Sequence, residues 1–285
     1  MVKRPITCGV MEFSEPSRRR LLWTLGAVGF AVAVGSDSVR GTAEASGSGA
    51  SPQTPTAAPA PRTPSPTPTP TLPGHPAWRP VRVRRYKEAI TNLDQLDPAR
   101  PPKTISLTID DGPHPKYTPQ VLDLLAEHQV TATFFVVGEM VKEHPALTRR
   151  IVEAGHQICN HTMTHPMGFD RIGGKRIHRE IAEAHARIAQ ATGVVPKYFR
   201  SPGGAWSRQV MEKVAEYGMI PIGWEVDPWD WRRPGVARIK RALLRSKDGA
   251  IMLCHDGGGD RSQTVAALRE VVPRLKKRGM TFVPL

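Results

Sequence analysis

The sequence is poor in cysteine, in acidic residues and in long apolar runs. It has three cysteines in 285 residues, too few for a disulfide framework. Cys8 lies near the N-terminus, and Cys159 and Cys254 each sit inside an apolar, strand-like run. Buried free thiols are the expectation for that pair, with a Cys159–Cys254 bridge as the alternative. The longest apolar run, Leu21 to Val34, is about 14 residues, short of the roughly 20 that span a bilayer. Acidic residues number 26 against 40 Lys and Arg, a formal charge of +14. No stripe of interleaved basic and aromatic residues accompanies that charge, and no nucleic-acid fold signature appears, so nucleic acid is not the expected partner. An anionic cell-envelope polymer suits the charge better, and plain solvation better still. The one dense basic cluster, Arg79, Arg82, Arg84, Arg85 and Lys87, either touches such a wall polymer or is simply solvated. No internal repeat is present.

The order along the chain implies four segments. Residues 1–45 have the form of an export signal. Ser17-Arg18-Arg19-Arg20 precedes the apolar run, and Ala43-Glu44-Ala45 fits a small-x-small cleavage site. The long first segment and paired arginines resemble a bacterial twin-arginine signal, with an uncleaved signal-anchor as the alternative. Residues 46–78 are almost entirely Ser, Pro, Thr, Ala and Gly. Such a stretch cannot bury enough apolar surface to offset its conformational entropy, so it is expected to be a disordered, semi-rigid linker. Residues 79–103 form a basic extension, and residues 104–285 a single folded domain of adequate size.

Within that domain, strand-like runs occur at Ile105–Ile109, Thr131–Val137, Gln157–Asn160, Lys197–Arg200, Ile220–Val226, Ala250–Cys254 and Thr281–Val283. Helical patterns separate nearly all of them. One has Thr118 as expected N-cap and Pro119 at the first helical position. Another starts at Ser207, presents Val210, Val214 and Tyr217, and stops at Gly218. Further helices fit Pro145–Ala154, Lys175–Ala191, Val236–Ser246 and Ser262–Arg278. Alternation of strands and helices implies an α/β fold with a parallel sheet. About seven strands favour a closed or nearly closed (β/α) barrel, with a doubly wound open sheet as the alternative.

Polar residues follow these strands. Asp110 and Asp111 follow the first run, His161 the third, Asp227 and Asp230 the fifth and His255 the sixth, while Arg200 ends the fourth. The C-terminal strand ends form the working face of such folds. His161 and His165 are four apart, a spacing that on a helical first turn would put both on one face toward one ion. Asp110-Asp111-Gly112-Pro113 places two carboxylates side by side, which repel unless a cation is near. Its functional reading is one carboxylate on a metal and one left for proton transfer; its bland reading is a solvated turn. Two His and one carboxylate make an open site for a divalent metal, zinc before others.

The order Thr108-Ile109-Asp110-Asp111-Gly112-Pro113, His161-x-x-x-His165, Arg200-Ser201-Pro202-Gly203-Gly204, Asp227-x-x-Asp230-Trp231 and Leu253-Cys254-His255 resembles the polysaccharide deacetylase family, carbohydrate esterase family 4 or the NodB-homology domain. The resemblance covers about residues 104–285. It implies a distorted, often seven-stranded (β/α) barrel that removes acetyl groups from glycans with a divalent metal, zinc first and cobalt next. It assigns Asp111, His161 and His165 to the metal, Asp110 as general base, Arg200 as its orienting partner, His255 as general acid and Asp230 as the group that tunes it. Pro202, Gly203, Trp231 and Leu253 are assigned to the substrate pocket. Asp230 is preferred to Asp227 because Trp231 follows it. Two departures stand out. Gly203 and Gly204 occupy a place where an aromatic residue is common, with Trp206 as its expected replacement, and Ile109 replaces a common Phe.

The implied activity is removal of N-acetyl groups from chitin-like or peptidoglycan N-acetylglucosamine. One rival uses the same machinery as an O-acetyl esterase on acetylxylan. Another is a catalytically silent domain that binds wall glycan.

Overall fold

The computed structural model describes residues 86–285. The signal, the linker, Cys8 and most of the basic cluster lie outside the described residues.

All seven expected strands form: β1 Thr104–Asp110, β2 Thr133–Val136, β3 Gln157–Asn160, β4 Tyr198–Phe199, β5 Ile220–Pro221, β6 Ile251–His255 and β7 Thr281–Phe282. Every ladder is parallel, in the order β5-β4-β3-β2-β1-β6, and β7 pairs with Thr104 and Ile105 at the start of β1. The ring does not close by a full strand pair. Pro221 is the last β5 residue in register with β4, and Ile222 N still donates to the Phe199 carbonyl at 2.9 Å; Pro221 itself has no N–H to offer on the outer edge. The chain beyond it crosses to β6, where Leu253 N donates to the Val226 carbonyl at 2.9 Å. Below that contact Ile90 bridges to Ile222 and Asn92 to Ala250. The result is the distorted barrel, and the open doubly wound sheet does not apply.

Side-chain alternation sorts the two faces of β1. Ile105, Leu107 and Ile109 pack outward with Val121, Leu125, Leu268 and Leu275 on the surrounding helices. Ser106, Thr108 and Asp110 therefore face the interior. Its lower part is filled by Ile90, Leu93, Phe135, Cys159, Ile222 and Ile251. Burying each large apolar side chain contributes about 1.5–3 kcal/mol, so this plug supports the polar layer above it. Cys159 and Cys254 are free and buried, and burial pushes both thiols well above their ordinary pKa.

Seven helices surround the strands: α1 Tyr117–Glu127, α2 Gly138–Glu143, α3 Pro145–Glu153, α4 Gly174–Thr192, α5 Arg208–Glu216, α6 Val236–Leu243 and α7 Ser262–Lys277. Ser207 caps α5 through a bond from Val210 N, as its sequence implies. Thr118 does not cap α1. The helix begins at Tyr117, and the Thr118 hydroxyl is taken up by Asp256, to which it donates at 2.5 Å. α2 has no polar cap and only six residues, so its pattern was too short to read.

Candidate active site

Five strand ends converge on one cavity of about 260 Å³. Register places the first two. Asp110 and His255 are direct partners across β1 and β6, so their side chains share the interior face at the same level.

Arg200 ties Asp110 down. It follows β4, is 0% exposed and donates through Nη1 to Asp110 Oδ1 and to Thr108 Oγ1, both at 2.7 Å, and through Nη2 to the Gly223 carbonyl at 2.8 Å. Its guanidinium stacks on Phe135, 4.2 Å from the ring centre. A buried charge persists only with such partners.

The same residue orients His161. The Arg200 carbonyl lies 2.8 Å from His161 Nδ1. A carbonyl can only accept, so Nδ1 carries the proton and Nε2 presents its lone pair. That Nε2 lies 3.4 Å from Asp111 Oδ1, and His165 Nε2 lies 3.3 Å from the same oxygen. The three ligand atoms fall within 4.8 Å of one another, and Asp111 Oδ1 is buried with no hydrogen-bond partner. Two ligands of a tetrahedral zinc, each about 2.0–2.1 Å from the ion, sit about 3.3–3.4 Å apart. The orphaned oxygen and the free lone pair thus fit a divalent metal. Asp110 Oδ2 stands 3.7 Å from His161 Nε2 and keeps its other oxygen on Arg200. Burial works against charge on Asp111, but the His161 contact and the three nearby histidines outweigh it and hold its pKa far below the ordinary carboxylate range. Burial lowers the pKa of His165, keeping it neutral as a ligand must be.

Residues 161–165 are not a helical turn, as the four-residue spacing suggested. Thr162 and His165 have left-handed backbone, with φ of 68° and 52°. Side chains satisfy this loop in place of helical carbonyls. Asn160 Oδ1 accepts from Thr162 N, Thr162 Oγ1 from His165 N, and Glu180 from both Thr164 N and its hydroxyl.

Asp230, not Asp227, meets His255. Asp230 Oδ1 lies 2.7 Å from His255 Nδ1, while Oδ2 accepts from His255 N and from the Thr264 hydroxyl. Burial opposes a charged imidazole, yet the Asp230 hydrogen bond and charge prevail and raise the His255 pKa to about 9. Asp227 instead accepts from Trp229 N and lies at the edge of the cavity, its pKa raised by burial.

Of the four pocket residues expected from sequence, Gly203, Trp231 and Leu253 line the cavity and Pro202 does not; Pro202 is buried beneath the turn. Trp206 does not replace the missing aromatic. It packs edge-on against Phe199 in the α4–α5 layer, and Trp224 lines the cavity instead. Trp224 sits where the chain crosses from β5 to β6, a closure that no local pattern announces. Sequence reasoning also missed Arg261, which lines the cavity and donates to the Gly257 and Gly258 carbonyls.

Gly112 after β1 and Gly257 after β6 have a packing reason. A Cβ on Gly257 would sit 2.0 Å from the Asp111 carbonyl oxygen, and one on Gly112 would sit 2.3 Å from Asp256 Oδ1. The two strand-end loops approach closely only because both residues lack side chains. Asp256 is fully buried between them, and burial, aided by the charges of Asp111 and Asp110, raises its pKa to about 7. The Asp110-Asp111-Gly112-Pro113 turn is therefore packed against this loop, with Gly112 and Pro113 buried, and is not a solvated turn.

Comparison with known proteins places this geometry. Residues 97–222 match a family model described as polysaccharide deacetylase. The chain is 44% identical over 188 residues to a chitooligosaccharide deacetylase of Sinorhizobium fredii, covering 62% of this chain and 87% of that protein. It is 42% identical over 184 residues to a peptidoglycan-N-acetylglucosamine deacetylase of Bacillus cereus, covering 64% and 85%. A peptidoglycan N-acetylglucosamine deacetylase solved in complex with an N-oxidanyl-benzamide aligns with a TM-score of 0.62 at 32% identity, covering 64% of this chain and 86% of that one.

Proposed function

We propose, from the premise that this chain belongs to the polysaccharide deacetylase family and is a deacetylase, that it hydrolyses the N-acetyl group of N-acetylglucosamine in a chitin-like or peptidoglycan glycan. The observation that carries the reading is the unpartnered Asp111 oxygen between His161 and His165, with Asp110 and His255 on either strand beside it.

Asp111, His161 and His165 hold a divalent ion, zinc as the first choice and cobalt as the second. When bound, the ion polarises the acetyl carbonyl and lowers the pKa of a nearby water. Asp110 takes the proton of the attacking water, and Arg200, 2.7 Å from its Oδ1, keeps that carboxylate aimed. His255, held protonated by Asp230, gives a proton to the departing amine nitrogen. An amine is a poor leaving group without that proton, so an amide needs the His255 proton more than an ester does. Leu253 and Trp231 offer apolar surface to the acetyl methyl.

The test measures metal content and acetate release from chitooligosaccharides, peptidoglycan and acetylxylan, with zinc or cobalt added. Release from the two N-acetylated glycans is expected. Release from acetylxylan alone overturns the N-acetyl assignment, and bound metal without acetate from any glycan marks a silent binder. The reading also includes export through the N-terminal segment, on the sequence pattern alone. Replacing Arg18 and Arg19 with Lys is then expected to retain the protein in the cytoplasm, and unchanged fractionation would rule that route out.

A further inference from the structure

Between Asp230 and Asp248 the chain carries seven basic residues and no acidic one. Lys240 pairs with Glu270 and Arg233 with Asp260. Among the described residues, Arg238, Arg241 and Arg245 have no carboxylate or hydrogen-bond partner for their side chains, and all three are exposed. The first two lie on α6 and the third just beyond its end. Spacings of three and four place them on one face, opposite the buried Ile239 and Leu243.

That face forms one wall of a second cavity of about 570 Å³, within the range of ligand sites, about 300–1,000 Å³. Asp227 lines both this cavity and the active site, so the two adjoin. Trp229 on this side and Trp231 on the active-site side are each 47% exposed, and Arg232 stacks on both rings at 4.3 and 4.7 Å. The rim joining the cavities thus carries the Asp227 carboxylate and two indole rings with Arg232 against them, and the wall beyond it is cationic.

We propose that this groove is a substrate subsite for a carboxylate-bearing sugar next to the acetylated one, so that the enzyme prefers an anionic glycan to a neutral one. The inference rests on the deacetylase reading above and names the glycan class within it. A guanidinium presents paired N–H donors that match a carboxylate. Three of them without internal acceptors, on the wall of a cavity open to the active site, are met by acceptors on the substrate. A neutral chitin-like chain leaves them with water alone. Trp229 and Trp231 give the chain an apolar platform to lie on as it passes from one cavity to the other.

The experiment uses the metal-loaded enzyme and its Arg238→Gln, Arg241→Gln, Arg245→Gln triple variant. Binding and acetate release are measured on peptidoglycan glycan strands with free carboxylates, on the same strands with those carboxylates amidated, and on neutral chitooligosaccharide. The unmodified enzyme is expected to bind the carboxylated strand about tenfold tighter than the amidated one, the scale of a few exposed charge pairs. Raised salt shrinks that preference, and the triple variant loses it while turning over chitooligosaccharide as before. Equal binding of the two strands by the unmodified enzyme overturns the proposal. So does a preference that survives in the variant, or a groove that takes a polyphosphate chain in place of the carboxylated strand. A carboxylate preference with no acetate released from any glycan retains the subsite and defeats the deacetylase reading instead.

Discussion

Two buried ion pairs stand at the C-terminal ends of the neighbouring strands β1 and β6, and they differ in the cation and in whether the strand supplies the carboxylate or the cationic partner. Asp110 meets Arg200 at 2.7 Å, and Asp230 meets His255 at 2.7 Å. A guanidinium keeps its proton at any ordinary pH, so Arg200 is a fixed positive charge that holds the Asp110 carboxylate in place at 2.7 Å. An imidazolium can release its proton, so Asp230 and His255 form a group that can donate one at about pH 9 and below. In the proposed mechanism acid and base come from the same kind of contact, separated by the proton affinity of the positive partner. Register then sets them side by side, as direct partners across β1 and β6.

The strongest way to break the comparison is to remove the fixed charge. Arg200→Met leaves Asp110 buried without a cation, and breaking such a pair costs about 3–5 kcal/mol. Denaturant unfolding is expected to show a loss of that size. A loss below about 1 kcal/mol would mean that Asp110 does not depend on the pair.

Asp110→Asn keeps the shape and removes the base. Turnover on an N-acetylated oligosaccharide is expected to fall about 10²–10⁴-fold, with bound metal unchanged by elemental analysis. Loss of metal would show that Asp110, and not Asp111, is the ligand. The mirror experiment is His255→Ala, expected to slow amide hydrolysis about 10²-fold or more and to slow an activated acetyl ester far less. Equal losses on both would remove His255 as the proton donor.

The subtlest test is Asp230→Asn. His255 is charged below its raised pKa and neutral above it, so acid-dependent turnover falls as pH rises through that value. The limb lies at or below about 9, because a bound cation opposes the raised pKa. Taking away the Asp230 charge removes the main raising influence, so the limb is expected to move down by about one unit. With a limb at about 9, turnover then falls about fivefold at pH 9 and about twofold at pH 8, while turnover near pH 6 changes little. A pH–rate profile with an unmoved limb would separate Asp230 from the chemistry. The stability attached to the raised His255 pKa has the same direction. It is present below the ordinary histidine value and lost as pH rises through about 9.

Much of this was legible along the chain, because it depends on neighbours a few residues away. The seven strands announce themselves as apolar runs, and Ser207 announces the start of α5. The Asp110-Asp111 pair and the His161–His165 pair mark their strand ends before any contact is known. Local reasoning failed where a side chain had a distant alternative. Thr118 has the chemistry of a helix cap, but Asp256, 138 residues away, takes its hydroxyl. The His161–His165 spacing suggests a helical turn, but Glu180 and the side chains of Asn160 and Thr162 supply the loop with other partners. The arginines of α6 were passed over because a charged helix face looks the same in sequence whether or not it walls a cavity.

The sequence by itself determined the strand count, the parallel α/β class and the chemistry available at each strand end, because periodicity and side-chain type are local properties. Tertiary structure alone decided which of two aspartates serves His255. Asp227 and Asp230 carry the same carboxylate three residues apart, and only the crossing from β5 to β6, with left-handed backbone at Trp229, turns Asp230 inward and leaves Asp227 at the rim. It likewise chose Trp224 over Trp206 for the cavity wall and opened the arginine groove beside it. These choices depend on how the barrel closes, through contacts such as Val226 with Leu253, and closure is a property of the whole ring that no short stretch of sequence contains.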